Sequence, residues 1–544
     1  MRRISAIALF AFLLLLILSA SASAQTSKSC ESLTQLTLAN AKVSSAESIA
    51  VGAFTPPPSI TPWLAGNADF YKSLPAFCRV LVDATPSADS DIKIEIWLPS
   101  SGWNGKLQGN GNGGFAGEID YHELGRRMLR GYATVGTDTG HAAQGTDARW
   151  ALNHPEKITD FAYRGIHEMT VAAKAAINAF YGSAPQHSYF AGCSNGGRQA
   201  LMEAQRYPAD YDGILAGAPA NFWSHLVSSS LWDAQATTLD PASYIPASKI
   251  PAIAHAVVEA CDAKDGVKDG ILNDPRQCHF EPKSMLCKSG NSDSCLTEAQ
   301  AVALSKLYAG AKDAQGHQIF PGFLPGAEEG GGGWGLWITG AEPGKSLLFA
   351  FGYGYFSDMV YSDAAWNYKT TNFDRAVGDA DKRTAHILNA TDANLKPFTS
   401  RGGKLLMYHG WNDAAISAIN SINYYNEVVA KLGVKDAASA VRLYMLPGVQ
   451  HCAGGTGPDA FGDPGTPQPD DAGRNATLAL EQWVEKGTEP SQIIATKYAA
   501  GQGPLPDFSK PVMTRPLCPY PQAAKYNGTG DTNDAASFSC EASH

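Results

Sequence analysis

The chain contains no run of lysine or arginine, and its 42 basic and 52 acidic side chains leave a formal net charge of −10. A nucleic acid or an anionic membrane would select a basic patch, so neither is expected as a partner. There is no C-x-x-C pair and no His/Cys cluster at ligand spacing, which argues against a zinc site. Past the first two dozen residues no segment is long and apolar enough to span a membrane, and no internal repeat is apparent. A length of 544 residues allows two to four domains, or one large domain carrying an insertion.

The first 24 residues differ from the rest. Arg2 and Arg3 precede the apolar run Ile4 to Leu18, and Ala22-Ser23-Ala24 supplies a small-residue cleavage site. This is the layout of a signal peptide over 1–24, with a secreted or periplasmic product. A membrane anchor is the competing reading, but the apolar stretch falls short of a full span. Export changes how the ten cysteines read, because an even number in an oxidising compartment makes disulfides the default.

The centre of the chain is Tyr189-Phe190-Ala191-Gly192-Cys193-Ser194-Asn195-Gly196-Gly197-Arg198. A short apolar strand from His187 to Ala191, the pattern G-x-S-x-G and a helix from Gln199 to Gln205 read as a nucleophile elbow, whose glycines let Ser194 project above a sheet edge. An ordinary strand-to-helix glycine turn is the alternative. Around it we expect strands at Asp91–Leu98 (period two), Met128–Gly136, Tyr211–Pro219, Lys404–Gly410 and Val441–Leu446. Helices are expected at Ile158–Phe180, Ala415–Leu432 and Asn475–Lys486. Further strand character at Glu47–Phe54 and Phe77–Val82 belongs to a lead-in packed on the edge. Strands alternating with helices imply an α/β fold with a mainly parallel, doubly wound sheet. The order breaks between about 221 and 399, which holds four cysteines, the glycine run Gly330–Gly333 and many aromatics, among them Trp334, Trp337, Phe351, Tyr353 and Trp366. We read it as an inserted lid between two core parts, 25–220 and 400–544, with most of its aromatics expected to form its core.

A serine that attacks an acyl carbon needs a base and a carboxylate to orient that base. Asp413 and His451 each lie just past the end of a buried strand, and in a parallel sheet those ends share an edge with the elbow. The order Ser194, Asp413, His451 is that of the α/β-hydrolases. Cys193 precedes the serine and Cys452 follows the histidine, so a bridge between them is expected if the two meet; two unrelated buried thiols are the alternative.

These three segments, Gly192-Cys193-Ser194-Asn195-Gly196-Gly197-Arg198, His409-Gly410-Trp411-Asn412-Asp413 and Gly448-Val449-Gln450-His451-Cys452, resemble the CS-D-HC signature of the tannase and feruloyl esterase family, which includes mono(2-hydroxyethyl) terephthalate hydrolase. The resemblance covers essentially the whole chain after residue 24. It implies an α/β-hydrolase core with a large lid, catalytic residues Ser194, Asp413 and His451, and the disulfides Cys193–Cys452, Cys30–Cys78, Cys261–Cys278, Cys287–Cys295 and Cys518–Cys540. Spacing alone leaves that pairing open. The oxyanion donors would be the backbone N–H of Asn195, by the elbow rule, and one from the glycine loop Gly109–Gly117, for which we choose Gly114 over its neighbours Gly113 and Phe115.

In the lid, Cys261-Asp262-Ala263-Lys264-Asp265-Gly266-Val267-Lys268-Asp269-Gly270-Ile271 places three carboxylates within eight residues, a set of hard oxygens suited to Ca2+, although a solvated Asp/Gly turn has the same composition. The resemblance implies a structural lid calcium on the side chains of Asp262, Asp265 and Asp269 and the carbonyls of Val267 and Ile271, and no organic cofactor. It also implies an esterase acting on small aromatic esters, feruloyl-type first, free or attached to plant polysaccharide or polyphenol. Tannase or terephthalate-monoester hydrolase is the alternative activity, and an inactive hydrolase-fold binding protein the remote one. The sequons at Asn389, Asn475 and Asn527 mark candidate glycosylation sites.

Overall fold

The computed structural model describes residues 28–61, 66–462, 469–501 and 506–542. The expected signal peptide at 1–24 lies outside the described residues. In chain order the strands are β1 (Thr37–Leu38), β2 (Ala41–Ile49), β3 (Phe77–Ala84), β4 (Ile92–Pro99), β5 (Lys106–Asn110), β6 (Ala133–Thr137), β7 (His187–Cys193) and β8 (Gly213–Gly217). A small hairpin, β9 (Ala311–Lys312) and β10 (Gln318–Phe320), precedes β11 (Lys404–Gly410) and β12 (Val441–Leu446). Two hairpins close the chain: β13 (Ile493–Ala500) with β14 (Pro506–Leu517), and β15 (Gln522–Tyr526) with β16 (Phe538–Ala542).

Ten strands form one sheet in the order β1-β2-β3-β4-β6-β5-β7-β8-β11-β12. The six from β6 to β12 run parallel, while β1 to β4 add an antiparallel edge. Fully apolar strands such as Leu405-Leu406-Met407 in β11 are buried because helices cover both faces, as a parallel sheet requires. One face packs Ile94, Leu107, Val135, Ile214 and Met407 against helices α1 (Gly165–Tyr181), α2 (Asn195–Arg206) and, past the insertion, the helix Ala418–Leu432. The other packs Tyr189, Leu215, Leu406 and Tyr444 against Leu480 and Trp483 of the helix Ala476–Lys486.

Several expectations need correction. Strand β6 begins at Ala133, and Tyr121–Met128 is a helix capped by the Asp120 side chain. Strand β4 is not half exposed at Glu95: that carboxylate is buried and receives Arg79 Nε and Trp97 Nε1, each at 2.6 Å. The helix after the elbow starts at Asn195, four residues before the expected Gln199. Asn475 is buried as the N-cap of its helix, and the Asn389 side chain bonds Ser224, so of the three sequons only Asn527 is exposed.

Strands β8 and β11 pair directly, from Gly213 with Lys404 to Gly217 with Tyr408, so the chain between them is an excursion from the sheet. Its apolar side chains cluster around helix α3 (Trp223–Thr238) with Tyr355, Phe356 and Val377, where they also pack on Phe115, Phe161 and Ile416 from outside the excursion, and around Ile253, Leu304 and Trp334. The sulfurs pair as Cys30–Cys78, Cys193–Cys452, Cys261–Cys278, Cys287–Cys295 and Cys518–Cys540, the five pairs implied by the resemblance. Among the described residues no helix is long and apolar enough to cross a membrane.

Candidate active site

Ser194 occupies the turn between β7 and α2 with φ 64° and ψ −122°, a conformation that costs a non-glycine residue energy and is held by its surroundings. Its N–H donates to Gly217 O at 3.0 Å, and its carbonyl accepts Ala220 N–H at 3.1 Å and Arg198 N–H at 3.0 Å. The glycines are needed for close approach: a Cβ on Gly192 would stand 2.6 Å from the carbonyl carbon of Gly196, and one on Gly111 would stand 2.7 Å from Gly196 Cα. Elbow and glycine loop are thus packed backbone on backbone.

The loops after β11 and β12 are joined by Trp411 N–H to Leu446 O and Asn412 N–H to Val449 O, both 2.9 Å. That pairing brings Asp413 to His451, whose Nδ1 lies 2.7 Å from Asp413 Oδ2. Burial alone would raise the Asp413 carboxyl, but His451 and His409 outweigh it and hold it well below the ordinary carboxylate range. The Cys193–Cys452 bridge, with Cα atoms 5.9 Å apart, links the residue before Ser194 to the residue after His451. The structure therefore brings the three sequence-predicted residues to one edge of the sheet, on the loops that follow β7, β11 and β12.

Of the expected oxyanion donors, Asn195 is the first residue of α2, where an N–H has no intrahelical acceptor and faces the positive end of the helix. In the glycine loop, Phe115 N–H is engaged by Gly145 O at 2.6 Å and Ala116 N–H by Gly113 O at 2.9 Å, which removes Phe115 from the candidates and leaves Gly114 with Gly113. The two halves are clamped by Asn112 and Gln199: Asn112 N–H donates to Gln199 Oε1 at 2.9 Å and Gln199 Nε2 to Asn112 Oδ1 at 3.1 Å. Buried Arg198 grips Asn195 Oδ1 with Nε at 2.9 Å and Nη2 at 2.7 Å, and its guanidinium lies against both the Phe161 and the Trp223 ring.

Aromatic side chains lead from the glycine loop to His451. Phe115 meets Phe351 edge-on at 5.1 Å, Phe351 stacks on Trp337 at 6.4 Å, and Trp337 meets the His451 ring edge-on at 5.0 Å. Gln450 holds the insertion here, accepting Gly332 N–H at 3.0 Å and donating to Glu329 O at 2.6 Å. Fewer of the insertion's aromatics are interior than expected: Trp334, Tyr355 and Phe356 are buried, whereas Trp337, Phe351 and Trp366 are half-buried and Tyr353 is exposed. Composition could not single out Trp337 or Phe351 from their neighbours, and Gln450 carried only its place beside His451.

In the loop from Asp262 to Asp269, the Asp265 carboxyl is raised by burial and by repulsion from Asp269 and Asp262. All three brace the loop, with Asp262 accepting Gly270 N–H at 3.0 Å, Asp265 accepting Val267 N–H at 3.1 Å and Asn273 N–H at 3.0 Å, and Asp269 accepting Ile271 N–H at 3.0 Å and Arg515 Nη2 at 2.9 Å. Among the described residues no three His, Cys, Asp or Glu side chains converge closely enough to hold a metal ion as placed.

Comparison with known proteins supplies the remaining evidence. The family model "Tannase and feruloyl esterase" matches residues 78–541. An uncharacterized esterase of Xanthomonas campestris pv. campestris is 39% identical over 540 residues, covering 94% of this chain and 91% of that protein. A probable feruloyl esterase B-2 of Aspergillus terreus is 34% identical over 85% of this chain and 86% of its own length. The crystal structure of feruloyl esterase B from Aspergillus oryzae superposes with a TM-score of 0.84 at 29% identity, covering 94% of this chain and 99% of that one.

Proposed function

Because the chain belongs to the tannase and feruloyl esterase family it is a carboxylic-ester hydrolase, and we propose that it is exported and cleaves esters of feruloyl-type hydroxycinnamic acids through an acyl-enzyme on Ser194. In this reading Ser194 Oγ attacks the ester carbonyl carbon while His451 Nε2 takes its proton. His451 returns that proton to the alcohol oxygen as the C–O bond breaks, then activates the water that frees the acid. Asp413 fixes the Nδ1–H of His451 and balances the charge on the ring. The developing oxyanion meets the N–H groups of Asn195 and Gly114, each worth on the order of a hundredfold or more in rate.

The observation that carries this reading is the 2.7 Å bond from His451 to Asp413, in a loop bridged through Cys452 to Cys193 beside Ser194. A preference for aromatic acids is supported by the half-buried rings of Phe351 and Trp337, the latter edge-on to His451, against which a flat acyl group would bury. The substrate is then a small aromatic ester, free or attached to plant polysaccharide or polyphenol. Five disulfides support an oxidising destination, in keeping with the signal-peptide reading of 1–24.

A structural Ca2+ in the lid belongs to the same proposal. Asp265 is repelled by Asp269 and Asp262, and the ion pair of Arg515 is with Asp269, so hard, negatively charged oxygens gather here in a way that suits such an ion. Asp262, Asp265 and Asp269 with the carbonyls of Val267 and Ile271 would hold it after a small adjustment of the loop. It would supply stability, and no step of the chemistry passes through it.

Initial rates of the purified mature protein on methyl ferulate, methyl gallate and a terephthalate monoester, with Ser194→Ala as the control, test the proposal. The expected result is a preference for methyl ferulate and a loss of about 10³-fold or more in kcat on removing Ser194. Hydrolysis by Ser194→Ala at the wild-type rate would overturn the mechanism, and a Ser194-dependent preference for gallate or the terephthalate monoester would reassign the acyl group.

A further inference from the structure

The carboxylate of Asp413 serves two histidines. His409 Nε2 lies 3.1 Å from Asp413 Oδ2, the oxygen that also receives His451 Nδ1, and 3.1 Å from the carbonyl oxygen of Ile416. Both neighbours of His409 Nε2 are acceptors, so this nitrogen carries a hydrogen and donates it. Nδ1, 2.7 Å from Ser421 Oγ, then accepts from the serine hydroxyl. His409 lies near the end of β11, Ser421 lies in the first turn of the helix Ala418–Leu432, and both are fully buried. Asp413 Oδ1 accepts the N–H groups of Ala415 and Ile416, each at 2.8 Å. Four donors thus fill the carboxylate, and His451 is the only one of them that comes from the loop after β12.

We propose that His409, oriented by Ser421, is a positioning residue for the hydrolytic reaction: it fixes the direction of Asp413 Oδ2 toward His451 and shares the negative charge of that oxygen. The proposal rests on the reading of Ser194, His451 and Asp413 as the catalytic set. A ring kept only to fill volume would not need a partner on each nitrogen, and phenylalanine would fill that space as well. The groups that face Asp413 are His409 from β11, His451 from the loop after β12 and the two N–H groups of its own turn. Without His409 the carboxylate is freer to rotate, which lowers kcat. Its charge also concentrates on the bond to His451, so the pH dependence of the reaction changes with it.

The test uses the full mature protein and its Ser194→Ala, His409→Phe, His409→Gln and Ser421→Ala variants, with kcat and KM for methyl ferulate measured from pH 5 to 9. His409→Phe is expected to lose about 10- to 100-fold in kcat, part of the 10² to 10⁴ that positioned proton transfer supplies, with KM nearly unchanged. The acid limb of its kcat/KM profile should move up by on the order of half a pH unit. His409→Gln, whose side-chain N–H can reach the same oxygen, should restore most of kcat and the original limb. A folded His409→Phe with wild-type kcat and pH profile overturns the proposal, as does a His409→Gln that loses as much as His409→Phe while the limb stays in place. Should His409→Phe not fold, Ser421→Ala carries the test: a smaller loss with the limb moved the same way supports the proposal, and an unchanged profile overturns it. Activity retained by Ser194→Ala would instead overturn the catalytic reading beneath it.

Discussion

His141 is kept neutral by the fold. Its ring stacks on Trp150 with centroids 3.8 Å apart, Nε2 lies 2.8 Å from the carbonyl oxygen of Phe115, and burial pushes its pKa down to about 4. Through Phe115 it anchors the loop that carries Gly114, so its protonation would disturb the expected oxyanion donor. An unfolded histidine titrates near 6.5, so below that pH the unfolded chain binds a proton that the folded chain refuses. Stability from this residue is therefore complete above about pH 6.5 and falls as pH drops toward 4, by about 2 kcal/mol between pH 8 and pH 5. His141→Gln can keep an N–H toward Phe115 O and has no titrating group. Chemical unfolding at both pH values should show the stability difference between wild type and His141→Gln shrinking by about 2 kcal/mol on acidification; a parallel loss in both proteins would place the acid sensitivity elsewhere.

At the scale of elements, the loop after β5 supplies a test with an internal control. Gly114 has φ +56°, and a Cβ there would overlap the Gly145 carbonyl oxygen that accepts Phe115 N–H, whereas nothing lies within 4 Å of a Cβ on Gly113. Gly114→Ala should therefore lower kcat by about a hundredfold, as expected for a displaced oxyanion donor, while Gly113→Ala stays within about threefold. Equal effects in steady-state kinetics would remove Gly114 from that role. Much of the frame was readable beforehand, because β7, β11 and β12 are short apolar runs with a candidate catalytic residue at or just past their C-terminal ends. The helix Tyr121–Met128 was not, since Met128 and Leu129 lie only two residues before the apolar Tyr132 and Ala133 that lead into β6. The start of α2 was also missed: Gly196 and Gly197 weaken local helix propensity, and it is their close packing on Gly111, Gly192 and the Gly217 loop that selects helix there. His409 escaped for a related reason, because a lone histidine inside Leu-Leu-Met-Tyr-His-Gly reads as core until its partners are known.

At the scale of the molecule, the chain leaves the sheet after β8 and returns at β11, so ties outside the sheet must hold the excursion in place. The Cys193–Cys452 bridge joins the core on either side of the excursion, closing a separation of 259 residues, which in the entropic account restricts the unfolded chain by about 5 kcal/mol. A second tie joins the acidic loop to the C-terminal hairpins. Arg515 of β14 bonds Asp269 and lies 4.0 Å over the Phe538 ring, Asn273 Nδ2 donates to Ala524 O at 3.2 Å, and Val267 packs with Cys518, Ala524 and Phe538. The guanidinium pairs with Asp269 while Asp265 is repelled by Asp269 and Asp262, so an ion seated among the three would relieve that repulsion and stiffen the joint between insertion and tail. An ion that binds only the folded chain at 100 times its Kd stabilises by about 2.7 kcal/mol, which for a chain of this size is a shift of a few degrees. Chelation should accordingly lower Tm by a few degrees, re-added Ca2+ should restore it, and kcat at 25 °C should stay within about twofold because Ser194, Asp413 and His451, the proposed catalytic residues, are untouched. Asp262→Asn should abolish the response to chelator, since that side chain is buried at the start of the loop. A Tm indifferent to both chelator and Ca2+ in scanning calorimetry would mean that the carboxylates serve only as caps for their own loop.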